Sequence, residues 1–191
     1  AYLFKPHVAV RLRTGTNEPT PWPPELPAGE NPPMGAVIDY WLASDAAGPV
    51  TLDILDSAGT VVRSYASTDS LVTPDATRCH EKPSSTYCDL PFYWPAPPMA
   101  LAPTAGMHRF SWDMRFGPIT PQDILWAGSP DGTGAVPRRT YPFINAPWAP
   151  PGRYTVRLTV NGTRYTQPLV VKLDPRIKTS AANLTVLAGL S

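Results

Sequence analysis

The chain has 191 residues, 26 of them proline and 13 glycine; that density works against long helices, because proline lacks the N–H a helix interior needs and clashes with the preceding turn. Hydrophobic residues make up 42%, enough for the core of one domain of this length. Only 16% of residues are charged and the net charge is +1, which argues against nucleic acid as a partner, and no apolar run reaches the roughly 18–20 residues of a membrane-spanning helix.

In chain order, residues 3–12 allow a first strand, confined to a sheet edge because Pro6 cannot donate to a ladder. Residues 36–42 (AVIDYWL) alternate with period two, placing Ile38, Tyr40 and Leu42 on one face and Asp39 and Trp41 on the other. Residues 50–55 turn Val50, Leu52 and Ile54 inward and Thr51 and Asp53 outward. Ser57-Ala58-Gly59 then turns the chain into residues 61–65. Residues 107–114 set His108, Phe110, Trp112 and Met114 against Arg109, Ser111 and Asp113. Residues 154–160 point Tyr154, Val156, Leu158 and Val160 inward. Asn161-Gly162 supplies the positive φ angles of a two-residue hairpin turn into residues 164–173, which present Tyr165, Leu169, Val171 and Leu173. Seven short strands with one apolar face each must bury those faces against one another, so the expected fold is a single antiparallel β-sandwich.

Residues 1–176 are read as that domain, with insertion loops at 67–106 and 115–150, and residues 177–191 as a tail holding a helical turn or two capped by Ser180. Three proline-rich stretches, 19–33, 91–103 and 118–151, do not alternate. They carry Trp22, Trp94, Trp126 and Trp148, and because disordered segments are usually poor in aromatics, they are expected to fold down. Cys79 and Cys88 lie in a polar loop, too few for a structural zinc site unless His80 and Asp89 join them. A disulfide pinning the loop is the simpler reading, and it implies a periplasmic or extracellular compartment. A start at Ala1 with no initiator methionine reads as a processed product or a fragment.

Catalytic patterns are weak. The histidines are His7, His80 and His108, there is no G-x-S-x-G elbow, and His108 reads as a satisfied or partly buried strand residue. Asp39, Asp53 and Asp113 could line up across a sheet as a glycosidase pair, but solvated acids paired with Arg109 or Arg157 explain them as well. Asn161 and Asn183 match glycosylation sequons, though Asn161 is already accounted for by its turn. Arg153, Arg157 and Arg164 form an outward row that could meet an acidic partner or simply be solvated. No catalytic residue, metal site or cofactor is expected.

The segment NPPMGAVIDY at residues 31–40 resembles the opening of the C-terminal immunoglobulin-like, or fibronectin III-like, domain of large secreted bacterial proteins with sortilin-like or BNR β-propellers. GPVTLDILD (48–56), residues 59–63, RFSWDMR (109–115), APPGRYTVRLTV (149–160) and QPLVVKLDPR (167–176) fit the same pattern. The Trp-Asp strand followed by PPG-x-Y-T-V is also similar to the immunoglobulin-like domain of flagellar hook-capping proteins. The propeller lies outside this sequence, the Cys79–Cys88 loop is an insertion relative to the pattern, and the matching residues are strand and turn residues. The resemblance therefore implies an accessory module, and a propeller's hydrolase label does not pass to its sandwich. The expected function is a non-catalytic structural or protein-interaction module, an extrinsic subunit or accessory domain docking onto a larger exported or membrane-associated assembly. The loop tryptophans with Tyr2 and Phe4 form its candidate surface, since aromatics concentrate at interfaces. The alternative is a carbohydrate-binding accessory of a secreted glycoside hydrolase, with exposed rings stacking on sugars.

Overall fold

The computed structural model describes residues 1–12, 25–27, 29, 35–69, 100–117, 147–180, 183, 184 and 186. In chain order the strands are β1 (Tyr2–Leu3), β2 (Ala9–Arg11), β3 (Ala36–Leu42), β4 (Thr51–Leu55), β5 (Val61–Ala66), β6 (Gly106–Trp112), β7 (Gly152–Val160) and β8 (Thr163–Leu173). They form a three-stranded sheet of order β1-β3-β6 and a five-stranded sheet of order β2-β8-β7-β4-β5.

The alternation in the sequence is what closes the two sheets on each other. Ile38, Tyr40 and Leu42 of β3 and Phe110 and Trp112 of β6 share one buried cluster with Leu52, Ile54, Val156, Leu158, Leu169 and Val171 of the larger sheet. Two ring contacts cross between the sheets: Trp112 meets Tyr154 edge-on at 5.4 Å, and Phe110 meets Tyr65 at 4.7 Å. Leu101 is buried as well, and the adjacent Ala102 is fixed from inside the core. Its carbonyl accepts from the Tyr40 hydroxyl at 2.9 Å, and its N–H donates back at 2.7 Å.

Turn chemistry follows the residues. Asn161 (φ 49°) and Gly162 (φ 77°) make the β7–β8 hairpin. The Asn161 Oδ1 also accepts from the Ala47 N–H at 2.9 Å, tying the hairpin tip to the β3–β4 connection. Asp56 Oδ1 accepts from the N–H groups of Ala58 and Thr60, which closes the β4–β5 turn around Gly59 (φ 84°). In the tail, Ser180 Oγ accepts from the Asn183 N–H at 3.2 Å and the Ser180 carbonyl from Leu184 at 3.1 Å, a capped helical turn as expected.

The N-terminal segment differs from the single edge strand expected. It breaks at Pro6, and its halves join opposite sheets: β1 runs antiparallel to β3, while β2 runs parallel to β8. There are thus eight strands among the described residues, and the arrangement is not purely antiparallel. Proline explains both ends of this switch. Pro6 has no N–H to continue a ladder, and Pro168 has none to offer a strand beside that part of β8. β2 therefore pairs only from Val171 onward, and at the crossover Gln167 Nε2 donates instead to the Leu3 carbonyl at 3.1 Å. His108 is the satisfied, partly buried strand residue expected: its Nε2 lies 2.7 Å from the Thr104 carbonyl oxygen, and its ring packs against Tyr40 at 5.1 Å.

Gly35 opens β3 at φ 107°, and a Cβ there would meet the Trp112 carbonyl oxygen. Gly35→Ala is expected to cost at least about 2 kcal/mol in urea unfolding, and Gly48→Ala, where a Cβ meets nothing within 4 Å, less than about 0.5 kcal/mol. Tyr154 gives a pH signature. Burial pushes its phenol up to about 12, so the folded state holds the proton more tightly than the unfolded chain does. Stability is therefore expected to fall as pH rises from the ordinary phenol value near 10 to about 12, and Tyr154→Phe to flatten that fall in pH-dependent unfolding curves.

Candidate interaction surface

The outer face of the three-stranded sheet carries what a half-buried sheet normally keeps in its core. Period-two alternation turns Tyr2, Trp41 and Met107 outward, and the pairing register sets them side by side: Tyr2 opposite Trp41, Trp41 opposite Met107. They are 54%, 43% and 59% exposed. Phe4 extends the row down the edge. Its N–H donates to the Asp39 carbonyl at 3.0 Å, and its ring packs edge-on against Tyr2 at 4.8 Å with an interplanar angle of 71°. Beneath the row, Arg109 forks onto Asp39 with donor distances of 2.8 and 3.0 Å. The result is a sulfur-and-aromatic band bounded by a self-neutralised ion pair.

Tyr2 and Phe4 were candidates from sequence, and Trp41 was placed outward by its parity. Met107 was missed as a partner of Trp41, because the signal for it is the β3–β6 register, which one-dimensional spacing does not contain.

Trp148 is held in place by its neighbours. It bridges Arg115, and the flanking bonds run from Ala149 N–H to the Met114 carbonyl at 2.8 Å and from Phe116 N–H to the Pro147 carbonyl at 2.9 Å. The Arg115 guanidinium lies 3.7 Å from the centre of its ring and that of Arg11 5.8 Å away, within cation–π range. Arg11 also donates to the Ala149 carbonyl at 2.9 Å. Burial lowers the pKa of both guanidinium groups. The indole is thus clasped by cations where the chain leaves and re-enters the sandwich, while 39% of the residue stays exposed. Trp22, Trp94, Trp126, Cys79 and Cys88 lie outside the described residues, as do the expectations attached to them.

The strand carboxylates are engaged by arginines. Asp39 serves Arg109 on the small sheet. Asp53, on the large sheet, takes Arg157 at 2.8 Å and the Ser64 hydroxyl at 2.6 Å, so Asp39 and Asp53 do not line up across one sheet. Asp113 accepts from the Arg115 N–H at 3.1 Å, and burial raises its carboxyl pKa. Nearby, Arg63 donates to the Phe116 carbonyl at 3.2 Å and stacks on Tyr65 at 4.9 Å, with its Nε buried and unpaired. Because Asp53 holds Arg157, the outward arginine row is reduced to Arg153 and Arg164 as exposed cations.

No protein-family model, no curated protein and no solved structure matches the chain. Among the described residues, no helix is long and apolar enough to cross a membrane.

The two ion pairs differ in solvent access, and so should their worth. Asp53→Ala strands Arg157 and Ser64 and is expected to cost about 1–3 kcal/mol. Asp39→Ala removes a pair whose arginine side chain is 58% exposed and is expected to cost clearly less, a loss that added salt erases. Denaturant unfolding at low and high salt checks both.

Proposed function

We propose that this chain is a non-catalytic docking module, an immunoglobulin-like sandwich that attaches to a larger exported assembly through the outer face of its three-stranded sheet. The observation that carries the reading is the contiguous row of Tyr2, Trp41 and Met107 with Phe4 beside it. Rings and a thioether in one exposed patch are what protein interfaces enrich, and an isolated monomer gains nothing from leaving them wet. The strands beneath are paired in register and the Tyr2–Phe4 rings are already packed, which lowers the side-chain entropy lost on docking.

The immunoglobulin type is supported by strand order. The N-terminal strand splits between sheets, and the long hairpin β7–β8 lies at the centre of the larger one. A second support is local: Tyr154, at the start of β7, donates its hydroxyl to the Pro150 carbonyl four residues upstream at 2.7 Å, the geometry of a tyrosine corner. The non-catalytic reading is supported by the carboxylates, since Asp39 and Asp53 are committed to arginines on separate sheets. Export rests on the expected Cys79–Cys88 disulfide and on the family resemblance.

Protein is favoured over sugar by ring geometry. A saccharide platform needs rings that share a plane, whereas Tyr2 and Phe4 stand at 71°, and guanidinium groups already lie over the indole of Trp148.

A photoreactive p-benzoylphenylalanine at position 107, irradiated in the native envelope fraction, is expected to yield one larger cross-linked protein. The same probe at Arg153, on the other sheet, is expected to yield none. Absence of a cross-link at 107, together with retention on a polysaccharide matrix that Trp41→Ala abolishes, would transfer the function to carbohydrate binding.

A further inference from the structure

The N-terminal segment is apolar on both sides. Leu3, Pro6 and Ala9 are buried beneath it, while Tyr2, Phe4, Val8, Val10 and Leu12 are exposed along its outer side. Because the segment crosses from one sheet to the other at Pro6, these side chains form a ridge around one edge of the sandwich. The ridge continues from the Tyr2–Trp41–Met107 row onto the margin of the five-stranded sheet. Nothing in the fold of this domain requires an edge strand to be apolar outward; edge strands are normally kept polar, because an exposed apolar edge invites association.

We infer that this ridge is the docking edge for a different protein whose contact surface is apolar with an acidic rim. The inference rests on the docking function proposed above and names the partner's chemistry. Area is the first argument. Seven side chains, each about half exposed, offer on the order of 700 Å², close to the roughly 800 Å² per partner of a stable interface. The outer-face row alone supplies little more than half of that, so a partner must wrap the edge to bind firmly.

Charge is the second argument. Lys5 and Lys172 are exposed along the ridge, and Lys172 stands directly opposite Val10. Among the described residues, no carboxylate forms an ion pair with either lysine. The acids whose backbones bond to this segment are committed: Asp39, whose carbonyl accepts from the Phe4 N–H, to Arg109, and the buried Asp174, whose N–H donates to the Arg11 carbonyl, to Arg176 at 2.6 Å. A cationic rim around an apolar ridge is complemented by an acidic rim.

The same charges disfavour a second copy, which would bring lysine against lysine. Backbone pairing is disfavoured too, because β1 and β2 span only two and three residues and Pro6 interrupts the edge between them. Recognition is therefore by side chains rather than by an added strand.

The test uses two labelled amphipathic helical peptides with the same Leu/Phe face, one rimmed with Glu and one with Lys. Fluorescence anisotropy against the full chain is expected to give at least about tenfold tighter binding of the Glu-rimmed peptide, weakening with salt. Val10→Ser with Leu12→Ser is expected to weaken it about tenfold. Lys5→Glu with Lys172→Glu is expected to reverse the preference between the peptides. All four positions are exposed, and each double variant is first checked for an unchanged unfolding midpoint. Sedimentation is expected to show a monomer up to about 100 µM, as a cation-rimmed ridge that repels its own copy requires. Equal affinity for both peptides, or no effect of the Val10/Leu12 pair, overturns the inference. A dimer abolished by Leu12→Ser overturns it in favour of a second copy. If the cross-link at position 107 survives any of these results, docking through the outer face stands and only the acid-rimmed partner is lost.

Discussion

The contact between Trp112 and Tyr154 is the interaction on which the rest of the molecule turns. A sheet with one apolar face is unstable alone, and these two rings, 5.4 Å apart, lock the faces of the two sheets together. Both rings are also tied at their polar ends. Trp112 Nε1 donates to the Arg115 carbonyl at 2.9 Å, and the Tyr154 hydroxyl donates to that of Pro150 at 2.7 Å. The chain exits after β6 and returns before β7 beside this pair, where Arg115 and Trp148 bridge. Met114 sits there with φ at 57° while its side chain stays buried, a conformation that a bulky residue holds only when its surroundings over-determine it. The packed core thus fixes the point from which the long connection departs, and Trp148 belongs to that clasp.

The N-terminal segment follows from the same frame. Leu3 and Ala9 fill the margin of the core, and Pro6 forces the chain to change sheets between them. With its inner side anchored in the core, the segment presents its outer side to solvent, and Trp41 and Met107 join it through the register of β3 with β1 and β6. Structure and proposed function meet at this point. The residues that close the sandwich on one side hold in place the ones that leave it open to a partner on the other.

Much of the fold was legible because alternation is a one-dimensional signal. The inward sets of β3, β4, β7 and β8, the Asn161-Gly162 turn and the Ser180 cap all follow from local chemistry. The arginine partners of Asp39 and Asp53 were legible too, as ordinary strand ion pairs. What was not legible depends on pairing between distant segments. The parallel union of β2 with β8 joins residues more than 150 positions apart, and the Trp41–Met107 neighbourhood exists only in one register. The clasp around Trp148 was not legible for the same reason, since the arginines that cover it come from residues 11 and 115. Of the surface, Tyr2 and Phe4 were named in advance, while its extent and its cationic border needed the strands in place.

The central claim is that the outer face of the three-stranded sheet is covered in the native assembly. Oxidative footprinting of the isolated chain and of a native extract compares the two states directly. The account predicts ready oxidation of Met107 and Trp41 in the isolated chain and protection of about tenfold in the extract, with buried Met114 and Trp112 silent in both. Equal oxidation of Met107 and Trp41 in the two states would contradict it.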